Sequence, residues 1–149
     1  MNKEIKILIV DDSPADAELI VRELRKVNLA HETRLVQSNE EFLKALEEYS
    51  PDIILCDFTM PDLGAQKALE IVKKTAPEIS FIVISGTIGE DTAVDMIKSG
   101  AVDYVMKDRL FRLVPAIERA LKDKVSALKQ KQMALEISQN EKKLREIIA

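Results

Sequence analysis

Residues 52–61 read Asp-Ile-Ile-Leu-Cys-Asp-Phe-Thr-Met-Pro. Ile53–Cys56 is an uninterrupted apolar run of strand length, bounded by an aspartate on each side. Such a run predicts a strand covered on both faces, the kind found inside a parallel sheet. The run stops abruptly on Asp57. The same sign recurs upstream, where Ile5–Val10 is a short β-rich run that ends on Asp11 and Asp12. It recurs downstream in Phe81–Ile84, which ends at Ser85-Gly86, and in Tyr104–Met106, which is followed by Lys107. Thr33–Val36 is a weaker strand between the first and third.

The segments between these runs have helical spacing. Ser13-Pro14 reads as a helix start, with Ser13 as the cap and Pro14 in the first turn. Ala17, Ile20, Val21, Leu24 and Val27 then follow at helical spacing. Further helices are predicted over residues 40–49, 65–75 and 90–99, the last closed by Gly100. Five strands, each followed by a helix, predict an α/β fold with a doubly wound parallel sheet and helices on both faces.

In open sheets of this kind, ligand chemistry lies beyond the C-terminal ends of the strands. Asp11 and Asp12, Asp57, Ser85 and Lys107 all stand there. Each alone reads as a turn former, a cap or a solvated lysine. Their arrival at the same end of four different strands points to one crevice. Three carboxylates in one pocket repel each other unless a cation neutralises them, and hard oxygen ligands suit Mg2+. Lys107 supplies a point charge for a phosphoryl oxygen, and Ser85 a hydroxyl for another. The assembly fits transfer of a phosphoryl group to or from a carboxylate.

Four motifs taken in order resemble the receiver domain of two-component response regulators, which has a flavodoxin-like (βα)5 fold. They are Ile-Leu-Ile-Val-Asp-Asp at 7–12, the 52–61 stretch, Ile-Ser-Gly-Thr at 84–87, and Gly-Ala-Val-Asp-Tyr-Val-Met-Lys at 100–107. The resemblance spans about residues 4–121 and implies that Asp57 is the phosphoacceptor, taking its group from a phosphohistidine on a sensor kinase or phosphotransfer protein. It further implies that Asp11, Asp12, Asp57 and the backbone carbonyl of Thr59 hold Mg2+, and that Lys107 pairs with the phosphoryl group. Ser85 would hydrogen-bond the phosphoryl group, with Tyr104 turning inward behind it as a switch. Thr59 and Thr87 border the crevice. Receivers usually carry Pro after the lysine; here Asp108 follows, so a trans peptide bond is expected, and Asp108 is a candidate cap for the last helix.

Two other functions share parts of this pattern. A haloacid-dehalogenase-like phosphatase also uses an Asp nucleophile with Mg2+, but it normally has a second Asp two residues on, where this chain has Thr59. A pseudo-receiver acting only as a binding module would usually have lost an acidic ligand or the lysine. The expectation is therefore not an enzyme with an external substrate.

No Gly follows Gly100, and Pro115 is the last Pro. Pro115 either kinks a helix that begins near Arg109 or marks its true start. Val114, Ile117 and Leu121 are expected to pack on the sheet. Val125, Leu128, Gln132 and Leu135 then follow a heptad seam with a stutter, and Met133, Ile137, Leu144 and Ile148 continue an apolar stripe of drifting phase. The expected organisation is a receiver over 1–121 and a coiled-coil-like helical linker over 122–149. That linker is expected to join a homodimer and to lead into a missing output domain. Residues 138–149 resemble the helical linkers that enter PAS sensor domains.

Composition narrows the classes further. One cysteine excludes an intrachain disulfide and any cysteine-cluster metal site, and one histidine excludes a multi-histidine site. Aromatics at 4% leave little for stacking on single-stranded nucleic acid. Residues 1–117 carry 14 Lys plus Arg against 21 Asp plus Glu, while residues 118–149 carry 8 against 5. The basic balance of the tail is too slight to argue for nucleic acid, and no Rossmann glycine motif, P-loop, kinase histidine box or DNA-binding module is present. Without a membrane-spanning apolar run or a signal peptide, the expected location is the cytoplasm.

Overall fold

In a computed structural model the described residues are 4–27, 30–60, 64–86 and 89–148, with backbone alone at Glu90 and at 146–148. Thr87, expected to border the crevice, lies outside them. Five strands form one parallel sheet: β1 (Ile5–Val10), β2 (His31–Val36), β3 (Ile53–Asp57), β4 (Ser80–Ser85) and β5 (Asp103–Met106). Their order across the sheet is β2-β1-β3-β4-β5. Helices α1 (Pro14–Leu24), α2 (Asn39–Glu48), α3 (Ala65–Thr75), α4 (Glu90–Lys98) and α5 (Leu113–Ile148) alternate with them. This is the doubly wound architecture that the strand pattern implies. Each strand begins or ends within two residues of its expected limits.

Burial explains which strands read strongly. β3 and β4 are buried at every residue and β1 at its last four, and these are the interior strands of the sheet. β2 and β5 are edges, with mixed burial. An edge strand needs an apolar residue only where a helix covers it, so β2 is weak on sequence for a physical reason. Side-chain alternation divides the core. Leu8, Val10, Ile54, Cys56, Phe81 and Val83 pack with Phe42, Ala45, Leu69, Val72 and Met96 of α2, α3 and α4. The alternate positions Ile7, Ile9, Ile53, Leu55, Ile82 and Ile84, equally buried, face the other way.

The helix ends follow local chemistry. Ser13 caps α1, accepting from the Asp16 N–H at 3.3 Å, with Pro14 in the first turn. Ser38 caps α2 and accepts from the Glu41 N–H at 3.2 Å. Gly100 has φ of +119°, a conformation open to glycine, and it turns the chain from α4 into β5.

The stretch after β5 differs from one expectation. A 3-10 turn spans Lys107–Arg112, with Arg109 at φ −133° and ψ 45°, and α5 begins at Leu113. Asp108 lies inside that turn, five residues before the start of α5, too far back to cap it. Pro115 falls in the first turn of α5, where a missing N–H costs no helical bond. It therefore marks the true start. The buried positions at the start of α5 include Leu113, Ala116 and Ile117, and of the expected Val114 and Leu121 each is only half-buried. No peptide bond among the described residues is cis, so Lys107–Asp108 is trans as expected.

The chain divides into two compact units, Met1–Ile117 and Glu118–Ala149. The second is helical, and every described side chain from Val125 to Arg145 is exposed.

Candidate functional site

Strand order locates the site. β1 has β2 on one side and β3 on the other, so the winding reverses between β1 and β3 and opens a crevice at their C-terminal ends. Ile7 pairs with Ile53 and Val10 with Cys56. One more step of that register sets Asp11 beside Asp57. Both carry the parity of Ile7, Ile9, Ile53 and Leu55, so both side chains emerge on the face opposite Cys56. Cys56 is fully buried in the core, as expected, and burial, with the nearby Asp57 and Asp11 charges, pushes its thiol pKa up.

Asp11, Asp12 and Asp57 each offer a carboxylate oxygen within 4.8 Å of the others. Asp11 and Asp57 are buried, and Asp12 is exposed at the mouth. Asp11 accepts the Ser13 N–H at 2.9 Å through Oδ1. Its Oδ2 is buried and accepts no hydrogen bond. Burial, then repulsion by Asp57, raises the Asp11 pKa, while the Ser13 N–H and Lys107 oppose that rise. A buried oxygen without a hydrogen bond, beside two further carboxylates, is a donor set that fits a hard divalent cation.

Lys107 follows β5 and reaches across this cluster. Its Nζ lies 3.4 Å from Asp11 Oδ2 and 3.5 Å from Asp57 Oδ2. Partial burial works against its charge, but the hydrogen bond to Asp16 and the charges of Asp11 and Asp57 outweigh it and raise the lysine pKa. The ammonium is therefore held charged. Thr59 sits in the turn after β3; its N–H and hydroxyl donate to the Asp57 carboxylate at 3.4 Å. Ser85 ends β4 and is buried, one residue beyond Ile84, the register partner of Asp57. Tyr104 pairs with Val83, which puts it on the same sheet face as Ser85, half-buried against the core.

The sequence-derived residues Asp11, Asp12, Asp57 and Lys107 thus come together, with Thr59 in contact with Asp57 and Ser85 at the adjacent strand end. Asp16 was missed. It lies in the first turn of α1, and its Oδ2 accepts from Lys107 Nζ at 2.7 Å, the shortest contact that lysine makes. An acidic residue three after an N-cap is ordinary helix chemistry, so its type carried no signal. The one available hint was position, one turn beyond the end of β1.

The response regulator receiver domain model matches residues 7–118. The probable C4-dicarboxylate response regulator DctR of Bacillus subtilis is 31% identical over 118 residues, which is 78% of this chain and 52% of that protein. A protein-glutamate methylesterase/protein-glutamine glutaminase of Rhodospirillum rubrum is 34% identical over 125 residues, 82% of this chain and 34% of that protein. The crystal structure of NtrX from Brucella abortus superposes with a TM-score of 0.76 at 30% identity, covering 89% of this chain and 30% of that one. The chain therefore spans about half or less of the length of these relatives. None of these matches favours the phosphatase or the pseudo-receiver reading. Fold, crevice and family model converge, and the chain belongs to the response regulator receiver domains of two-component systems.

Proposed function

We infer that Asp57 is the phosphoacceptor of this receiver and that Asp11, Asp12, Asp57 and the Thr59 carbonyl hold Mg2+ beside it. The observation that carries the reading is the buried pairing of Asp11 and Asp57, with a charged lysine within 3.5 Å of both. The donor is a phosphohistidine on a sensor kinase or phosphotransfer protein. An Asp57 oxygen attacks phosphorus, the bond from phosphorus to the imidazole nitrogen breaks, and its electron pair stays on the imidazole. An acyl phosphate remains on Asp57. Bound Mg2+ supplies positive charge to the phosphoryl oxygens.

The chain's own residues do the rest by position. Lys107, already charged, pairs with a phosphoryl oxygen in a site where burial strengthens that attraction. The Thr59 N–H and hydroxyl orient the Asp57 carboxylate. Ser85 donates to a phosphoryl oxygen, and Tyr104 turns inward behind it, biasing the surface between two packings. The chemistry is directed at the protein itself, with no external substrate turned over. Residues 122–149 act as a helical linker that pairs two chains and leads into an output domain, and the whole works in the cytoplasm without membrane or nucleic-acid contact by this segment. Among the described residues no helix is long and apolar enough to cross a membrane.

The test is incubation with Mg2+ and acetyl phosphate, read by intact mass. The parent should gain one labile phosphoryl group, and Asp57→Asn none. A parent that stays unmodified, or an Asn variant that is labelled stably, would overturn the assignment.

A further inference from the structure

Lys107 has more carboxylate partners than a phosphoryl-binding lysine requires. Its Nζ lies within 3.5 Å of Asp11 and Asp57, yet its closest partner is Asp16 at 2.7 Å. The three differ in exposure: the side chains of Asp11 and Asp57 are 1% and 3% exposed, and that of Asp16 is 38%. Asp16 also stands outside the group of carboxylates whose oxygens converge on one point. Its position is fixed by the chain rather than by the lysine. Ser13 accepts the Asp16 N–H, Pro14 sets the first turn of α1, and Asp11 accepts the Ser13 N–H, so Asp11 and Asp16 are tied through one capping turn.

We propose that Asp16 is a positioning residue that draws the Lys107 ammonium outward from the acidic cluster and so leaves Asp11 and Asp57 available to a divalent cation. The physical reason is competition. An ammonium and a divalent cation seek the same buried carboxylate oxygens, and their like charges repel. A lysine with no other partner stays on Asp11 and Asp57 and must be displaced before a cation enters. A lysine that already shares a charge-assisted hydrogen bond with an outer carboxylate can withdraw to it without losing its last partner. Asp16 thereby keeps the lysine close enough to meet a phosphoryl group while lowering its competition with the metal. The inference rests on the metal reading proposed above and adds to it a residue that touches neither metal nor phosphoryl group.

The experiment is a Mg2+ titration followed by amide chemical shifts, on the full chain without any phosphodonor. Asp16→Asn should weaken Mg2+ binding by about three- to tenfold, within the range by which neighbouring ionic groups couple. Asp16→Glu, which keeps the charge, should restore the parent affinity to within about twofold. In a Lys107→Met background, Asp16→Asn should change the affinity by no more than about twofold, because its route of action is gone. An unchanged affinity for Asp16→Asn overturns the proposal. So does an equal loss with and without Lys107, which marks a simple loss of negative charge, or a failure of Asp16→Glu to rescue. A parent that binds no Mg2+ overturns the metal reading itself, and with it this inference. That outcome is distinct from a parent that binds normally beside an indifferent Asp16 variant.

Discussion

Asp11 shows how a single carboxylate trades stability for chemistry. Its raised pKa means that the folded state holds the proton more tightly than the unfolded chain does. Folding stability therefore falls as pH rises from the ordinary value of 3.8 through the raised folded value, and above it the cost of the buried charge is present in full. Asp11→Asn carries no charge at any pH and can still accept the Ser13 N–H. It should stabilise the metal-free protein at pH 7, raising its melting temperature. Thermal unfolding in a chelator measures this, and the gain should shrink as pH falls through the raised folded value towards 3.8. A variant less stable than the parent at pH 7 would mean that the Lys107 contact outweighs burial. Asp11, Asp57 and Lys107 were legible because each interrupts an apolar run at a strand end, where the fold concentrates them. Asp16 was not, because the same residue satisfies a helix terminus equally well. The stacking of the Arg34 guanidinium over Tyr49, 4.6 Å from the ring centroid, was hidden for a related reason. Exposed edge-strand residues have no pattern that names their partner.

Elements built on periodicity were readable to within two residues, and the exceptions have local causes. The start of α5 was ambiguous because Pro115 is compatible with either a kinked helix or a first turn, and only the 3-10 turn over Lys107–Arg112 selects the second. The buried positions there include Leu113, Ala116 and Ile117, while Val114 and Leu121 are half-buried. Gly100 was readable as the end of α4, and its φ of +119° shows what it supplies. The Gly100 N–H donates to the Ile97 carbonyl and the Ala101 N–H to the Met96 carbonyl, both at 3.0 Å, so the backbone there cannot relax without losing the cap. Gly100→Ala should destabilise the fold by about 1–2 kcal/mol, because a Cβ strains that backbone conformation. The added carbon also meets the end of the Lys73 side chain, which is flexible enough to move aside. Urea unfolding gives the number, and an unchanged midpoint would show that the turn accommodates a Cβ.

Charge and exposure together distinguish the two units of the chain at the largest scale. Residues 1–117 carry seven more acidic than basic side chains, whereas 118–149 carry three more basic than acidic. The first unit has its own buried core, and the second exposes Val125, Leu128, Met133, Leu135, Ile137 and Leu144, each more than half accessible. A helix with that many bare apolar side chains gains stability chiefly by burying them against another surface. The proposed pairing takes Val125, Leu128 and Leu135 as the seam against a second copy of the same helix. Gln132 interrupts that seam with a polar side chain and should weaken it without abolishing it. Burying a leucine against a partner is worth about 1.5–3 kcal/mol, and a symmetric pair buries each position twice. The double variant Leu128→Lys, Leu135→Lys should then lower association by on the order of a hundredfold or more. Light scattering at matched concentrations should find the parent as a dimer and the variant as a monomer. Phosphorylation of the variant by acetyl phosphate should be unchanged, since Asp11, Asp57 and Lys107 all lie in the first unit. A parent that runs as a monomer removes the coiled-coil role of the linker. A variant that remains a dimer shifts the pairing surface to the first unit.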